Sequence, residues 1–183
     1  MDSSVLTRIS LFLSVLLMSN ITSAESHHGH QKAHIHGISE IKLAIGLKGI
    51  EIHFESPANN LVGFEYSAIS TKEIQRVKQA SKMLSNPASI FLFDGTRCEV
   101  TFSSIDMSDL LNSHDKHGQQ DTHTEVSAHY RFQCPSISEL NHIEIQLFSL
   151  FPTISEIQLQ WVSETHQGMS TLTPDKTQLV INK

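Results

Sequence analysis

Ile41-Lys-Leu-Ala-Ile-Gly-Leu-Lys-Gly-Ile-Glu-Ile-His-Phe54 is the stretch on which the fold turns. Ile41, Leu43 and Ile45 alternate with polar or small residues, Lys48-Gly49 supplies a turn, and Ile50, Ile52 and Phe54 alternate again. Period-two alternation on both sides of a turn reads as a β-hairpin with one apolar face. The two cysteines extend the pattern. With Cys98-Glu-Val-Thr-Phe102 laid antiparallel to Tyr130-Arg-Phe-Gln-Cys134, Cys98 faces Cys134, Val100 faces Phe132 and Phe102 faces Tyr130. Every inward position is then apolar or cysteine, while Glu99, Thr101, Arg131 and Gln133 alternate on the polar side, as a half-buried antiparallel pair requires. A Cys98–Cys134 disulfide is expected, and it suits an oxidising compartment.

Outward from these strands the pattern is α+β. Ser56–Tyr66 reads as an irregular connection. Ser70 and Glu73 form a capping box before a helix to about Leu84, with Ile74, Val77, Ser81 and Leu84 on one stripe. Asn86-Pro87 can start a second short helix, and Asp94-Gly95 turns the chain into the cysteine strand. Past Pro135, a short helical turn and a strand lead to Leu147–Phe151. Further strands are expected around Ile157–Trp161, Met169–Leu172 and Leu179–Ile181. The expected fold is a single α+β domain: a mainly antiparallel sheet, two or three short helices and one disulfide. Residues 38–183 form that domain, with a polar loop at 109–122 between the cysteine strands.

The N-terminus reads differently. Arg8, the apolar run Ile9–Met18 and the small residues up to Ala24 have the form of a cleaved signal peptide over residues 1–24. The run is too short to span a bilayer, so no membrane anchor is expected after cleavage. About 159 residues remain, enough for one domain with a real core. The net charge of −6 argues against nucleic acid and anionic membrane surfaces and favours cations.

Histidine placement carries the functional signal. In the leader, residues 25–37, five of the ten residues from His27 onward are histidine (His27, His28, His30, His34, His36). His114, His117, His123 and His129 gather in one later stretch. Neutral imidazole is a strong ligand for zinc, and an exported protein cannot count on reduced thiolates. His34 and His36, if extended, place both rings on one face about 6.5–7 Å apart at Cα. His123, Glu125 and His129 share the polar parity opposite Val126, Tyr130 and Phe132. A closed site needs ligands from at least two segments, and these two supply them, with His114 and His117 as auxiliary loop ligands. His53, His142 and His166 stand alone and read as ordinary polar residues. The expected ligand is Zn(2+). Nickel, cobalt and copper(II) share the same ligand preference, whereas the absence of a free thiol counts against copper(I). No H-E-x-x-H or G-x-S-x-G occurs and both cysteines are committed, so no enzyme is expected.

At these residues the chain resembles the ZrgA-like periplasmic zinc-uptake proteins, which are histidine-rich and secreted. The resemblance rests on His34-Ile-His36-Gly37, Glu55-Ser-Pro-Ala58, Asn60-Leu-Val-Gly-Phe-Glu65 and Asn86-Pro87 with Phe91. It continues through Cys98, His123-x-Glu125 with Tyr130, Phe132 and Cys134, Leu147-Phe148 with Phe151-Pro152, and Leu172-Thr-Pro174. It implies a periplasmic protein that binds zinc and feeds an inner-membrane ABC-type import system. It also points to the H-x-H pair, His123 and Glu65 as ligands. Two departures stand out: the loop between the cysteine strands is short for such proteins, and Tyr66 stands where histidine typically follows the glutamate. The expected function is capture of Zn(2+) and its transfer to an importer, at a site with one open position. Because neutral imidazole is needed, affinity should fall under mild acid. The alternatives are a periplasmic zinc buffer or tolerance protein and, further off, a metal-dependent enzyme.

Overall fold

The apolar face of the Ile41–Phe54 hairpin lies at the centre of a six-stranded sheet in a computed structural model that describes residues 35–111 and 124–181. The segment read as a signal, most of the histidine leader and most of the polar loop lie outside the described residues. The hairpin strands are β1 (Ile38–Ile45) and β2 (Gly49–Pro57), paired antiparallel with Ile45 opposite Ile50. The remaining strands are β3 (Phe91–Asp94), β4 (Glu99–Asp106), β5 (Glu125–Gln133), β6 (His142–Ile145), β7 (Glu156–Val162), β8 (Gln167–Leu172) and β9 (Gln178–Val180). The large sheet runs β4-β5-β2-β1-β7-β8, and β3, β6 and β9 form a smaller one. Every pairing is antiparallel except β1 with β7, where Ile41 lies beside Leu159 in a parallel register.

One face of the large sheet is the core. Ile41, Ile52, Phe54, Val126, Tyr130 and Ile157 are all at most 1% exposed. Against them pack the small sheet and a helix. Phe91 meets Tyr130 and Phe132 edge-on at 5.6 and 6.1 Å, and Phe93 meets Phe132 at 4.8 Å. The helix is α2 (Thr71–Leu84), which buries Val77, Ala80 and Leu84. Its capping box is present: the Ser70 hydroxyl accepts from the Glu73 N–H at 3.2 Å, and Glu73 accepts from the Ser70 N–H at 2.8 Å. The buried Tyr130 hydroxyl donates to the Leu84 carbonyl at 2.9 Å, tying the end of this helix to the sheet.

Among the described residues there are four helices where the sequence pointed to two or three: α1 (Ala58–Val62), α2, α3 (Ser108–Leu111) and α4 (Leu147–Leu150), with short 3₁₀ turns at Pro87–Ser89 and Ile137–Glu139. The segment read as irregular contains α1. It ends on Gly63 in the left-handed region (φ 84), so Pro57 and Gly63 are its boundaries. Asp94-Gly95 makes the expected turn, with Gly95 at φ 88.

The Cys98–Cys134 disulfide forms, and Val100 pairs with Phe132 as the alternation requires. Phe102 departs from expectation. A bulge between Val100 and Phe102 moves Phe102 opposite Arg131, and Ser103 takes the position facing Tyr130. Since side chains alternate faces, one inserted residue turns Phe102 to the outer side, where it is 39% exposed beneath the Arg131 guanidinium at 4.8 Å.

Candidate functional site

The residues before β1 form a tight turn rather than an extended lead-in. The Ile38 N–H donates to the Ile35 carbonyl at 3.1 Å, and Gly37 sits at φ 86. Only glycine takes that conformation without strain, and a Cβ there would come within 2.6 Å of the Ser155 hydroxyl. His36 is therefore a turn residue, while His34, the other member of the expected H-x-H pair, lies outside the described residues.

Hydrogen bonds from two directions fix this turn. The Gly37 N–H donates to Asn60 Oδ1 at 2.7 Å, and the Asn60 amide donates to the Ile38 carbonyl at 2.9 Å and the Ser56 hydroxyl at 3.3 Å. Asn60 is 2% exposed and belongs to α1. On the other side, the Gly37 carbonyl accepts from the Ser155 and Glu156 N–H groups at the start of β7. A buried pair, Ser39 and Ser56, joins the polar cluster through their hydroxyls at 2.8 Å.

The same helix delivers the second functional side chain. After Gly63 the chain reaches Glu65, whose backbone carbonyl accepts from the buried Thr124 hydroxyl at 2.8 Å. Thr124 also accepts the first N–H of α1, from Ala58, at 2.9 Å. The outcome is a meeting of distant segments: His36 Nε2 lies 3.1 Å from Glu65 Oε1. Two ligands about 2.0–2.1 Å from one tetrahedral ion sit about 3.3–3.4 Å apart. The pair therefore stands close to the spacing of adjacent ligands. The His36 side chain is 60% exposed and that of Glu65 17%, so one half of the pair faces solvent.

The other expected ligands are distributed differently. His27, His28, His30, His34, His114, His117 and His123 lie outside the described residues, as does the segment read as a signal. Glu125 opens β5 opposite Pro57, exposed on the outer face of the sheet, where its charge helps hold up the pKa of the Lys42 ammonium. The main cause of that raised pKa is the Lys42–Glu55 hydrogen bond at 2.8 Å. Tyr66, which replaces a candidate histidine, donates to Glu73 Oε1 at 2.8 Å and is thereby tied to the cap of α2. That bond raises the phenol's pKa. It also contributes, after the Ser70 N–H, to lowering the Glu73 carboxyl to about 2. Among the described residues, no three His, Cys, Asp or Glu side chains gather closely enough to hold a metal ion.

Sequence reasoning missed Asn60 and Thr124, which hold the turn and Glu65 in place; buried hydrogen-bonding roles leave no periodic mark. It also missed that His53 and His129, read separately, stand directly opposite each other on β2 and β5. They line a groove of about 700 Å³ on the outer face of the sheet, together with Glu51, Trp161 and Met169. Among the described residues no helix is long and apolar enough to cross a membrane.

No curated protein matches the chain. A family model does, that of the ZrgA family zinc uptake protein, and it spans residues 33–181, from the residue before His34 to the end of the described chain. That match covers the His36 turn, α1, Glu65, both cysteine strands and the last strand in a single run, so the chain belongs to the ZrgA family of zinc uptake proteins.

Proposed function

We propose that this protein captures Zn(2+) in the periplasm and hands it to an inner-membrane import system of the ABC type. His36 and Glu65 form the centre of its binding site. The observation that carries this reading is their approach to 3.1 Å from segments 29 residues apart, held on each side by buried polar groups. His34 is two residues from His36 in the chain, and His123 immediately precedes Thr124, which is bonded to Glu65. Either histidine would supply a third protein ligand and leave the fourth position open to exchange. Glu125 follows on the same strand as an outer carboxylate, and His27, His28, His30, His114 and His117 act as auxiliary capture ligands.

A site built this way suits cargo. Zinc held by imidazole and carboxylate with a solvent-facing side can be released, whereas a closed four-thiolate site retains it. The chemistry is binding and transfer of an ion, and the reading assigns no catalytic residue.

The test is zinc calorimetry on the mature chain against His36→Ala, Glu65→Gln and His123→Ala. Each variant should lose about 10–100-fold in affinity, the usual effect of removing a ligand or its immediate partner. Unchanged tight binding in His36→Ala would move the primary site elsewhere. A deletion strain grown under zinc chelation should show a growth defect that wild-type protein restores and His36→Ala does not. Normal growth of the deletion strain there would favour the buffering role over uptake.

A further inference from the structure

The large sheet ends on two edge strands, β4 and β8, and they are built differently. A bare edge offers unpaired N–H and C=O groups to any strand that comes alongside, and proteins blunt such edges with charge, proline, bulges or shortness. β4 has two of these devices, the bulge between Val100 and Phe102 and the charges of Glu99 and Asp106. In the small sheet the edge strands β3 and β9 have only four and three residues. β8 has none of them. Gln167-Gly-Met-Ser-Thr-Leu172 is six residues long, carries neither charge nor proline, and pairs with β7 in an unbroken register. Among the described residues, β7 is the one strand it pairs with.

Apolar surface collects on the same edge. Leu172 is buried, so Gly168 and Ser170 share its inward side and Gln167, Met169 and Thr171 stand on the outer face. Met169 is 76% exposed, and Val162 on β7 is also exposed on that face. Met169 walls two hollows, the groove of about 700 Å³ and a second of about 310 Å³ shared with Gln158, Ser170 and Thr171.

We propose that β8 is a self-association edge, pairing antiparallel with β8 of a second copy of this chain about a two-fold axis at Met169. Charge selects this occupant. The chain carries −6, so two copies repel where their acidic surfaces meet, and an uncharged strand is where they approach at least cost. A charged strand from another protein finds no counter-charge on β8, whereas β8 matches itself without conflict. About the axis Met169 faces its own copy, Gly168 faces Ser170 and Gln167 faces Thr171, so no like charges are opposed. The strand ends agree as well. The Ser163–His166 turn, with exposed Glu164, comes beside the second copy's Thr173–Lys176 turn, where Lys176 offsets Asp175 and offers Glu164 a counter-charge. Parallel pairing would instead set Glu164 beside its own copy. Two six-stranded sheets thereby join into one. So short a strand contact is small, and the dimer is weak and reversible. Neither His36 nor Glu65 lies on this edge, so the inference is independent of the zinc reading.

Sedimentation equilibrium on the mature chain from about 10 μM to about 1 mM should show a reversible monomer–dimer equilibrium. A chelator is present throughout, so that zinc shared between histidines of two copies does not hold them together. Met169→Lys places the usual protective charge on the edge and opposes two ammonium groups across the axis. Its dissociation constant should rise at least about tenfold, with an unchanged melting temperature because Met169 is exposed. Met169→Cys should form a disulfide-linked dimer under mild oxidation, since directly opposite residues have Cβ atoms about 4.5–5.5 Å apart, close to disulfide reach. Ser104→Cys on the blunted β4 edge is the control and should link far more slowly. A wild-type chain that stays monomeric to about 1 mM would overturn the proposal. So would a folded Met169→Lys protein as dimeric as wild type, or linking at position 169 no faster than at 104.

Discussion

Replacing Asn60 by alanine tests whether the buried polar cluster, rather than the histidine itself, sets the position of the proposed zinc-binding turn. Asn60 Oδ1 is the acceptor for the buried Gly37 N–H at 2.7 Å, and its amide serves the Ile38 carbonyl at 2.9 Å and the Ser56 hydroxyl at 3.3 Å. Removing the side chain strands a buried N–H, which costs about 1–3 kcal/mol, and forfeits a further bond worth about 1 kcal/mol. The expected loss is about 2–4 kcal/mol, or about 5–15 °C in Tm for a chain of this size. Urea denaturation should show a lower midpoint at an unchanged slope, since the surface exposed on unfolding hardly changes. Asn60→Asp is the sharper probe. It keeps the acceptor for Gly37 but turns a carboxylate oxygen toward the Ile38 carbonyl, so it should destabilise at neutral pH at least as much as alanine. Both variants should also weaken zinc binding in protein that remains folded, because His36 adjoins the released Gly37. A folded Asn60→Ala protein within about 0.5 kcal/mol of wild type, binding zinc equally well, would refute the assignment of Asn60 as the clamp.

Three other outcomes follow from the structure. Cys98 and Cys134 close a loop with a sequence separation of 36. Cys98→Ala/Cys134→Ala should therefore lose about 4 kcal/mol on the chain-entropy account, read as a lower denaturation midpoint, and an equal midpoint would contradict it. The Glu73 carboxyl is held down to about 2, chiefly by the Ser70 N–H and then by the Tyr66 hydroxyl. Its contribution is complete above the unfolded carboxylate pKa near 4.5 and disappears as pH falls toward about 2. Melting curves of Glu73→Gln and wild type should thus differ at pH 7 and converge on acidification, and a gap independent of pH would remove the charge-assisted cap. Tyr130→Phe deletes the bond to the Leu84 carbonyl at the end of α2 and should cost about 1–2 kcal/mol by urea denaturation. No change would mean that the carbonyl finds another donor.

Much of the architecture was legible because the large sheet buries one face only. Ile41, Leu43, Ile50, Ile52 and Phe54 carry the alternation of β1 and β2, and Val126, Tyr130 and Phe132 carry that of β5. The register of the cysteine strands was legible as far as Val100 and failed at Phe102, since a bulge inserts a residue without changing the local character of the sequence. The parallel β1–β7 pairing had no local sign at all. Ile38 and Glu156 are joined by tertiary contact across more than half the chain, with Gly37 accepting from Ser155 and Glu156 at its start. Helix α1 escaped notice because five residues are too few to show a helical period, and only its flanking Pro57 and Gly63 betray it.

The candidate site divides along a related line. Imidazole density picked out His36 because histidine is uncommon and five in a short run demand a reason. Glu65 came only through family resemblance, since an isolated glutamate looks like any solvated side chain. What brings the two together is carried by residues of no obvious chemistry, Asn60 and Thr124, whose role exists only once α1, β1 and β5 are assembled. This separation has a functional logic. A cargo-binding site needs donor atoms exposed enough to exchange an ion and a backbone stiff enough to keep their spacing. Here the exposed donor is His36, beside a half-buried Glu65 carboxylate, while the stiffness comes from a buried amide and a buried hydroxyl. Tightening the donors by burying them would raise affinity and slow release. Loosening the amide would do the reverse. The proposed carrier role therefore requires that affinity respond to substitutions at Asn60 that touch no zinc ligand.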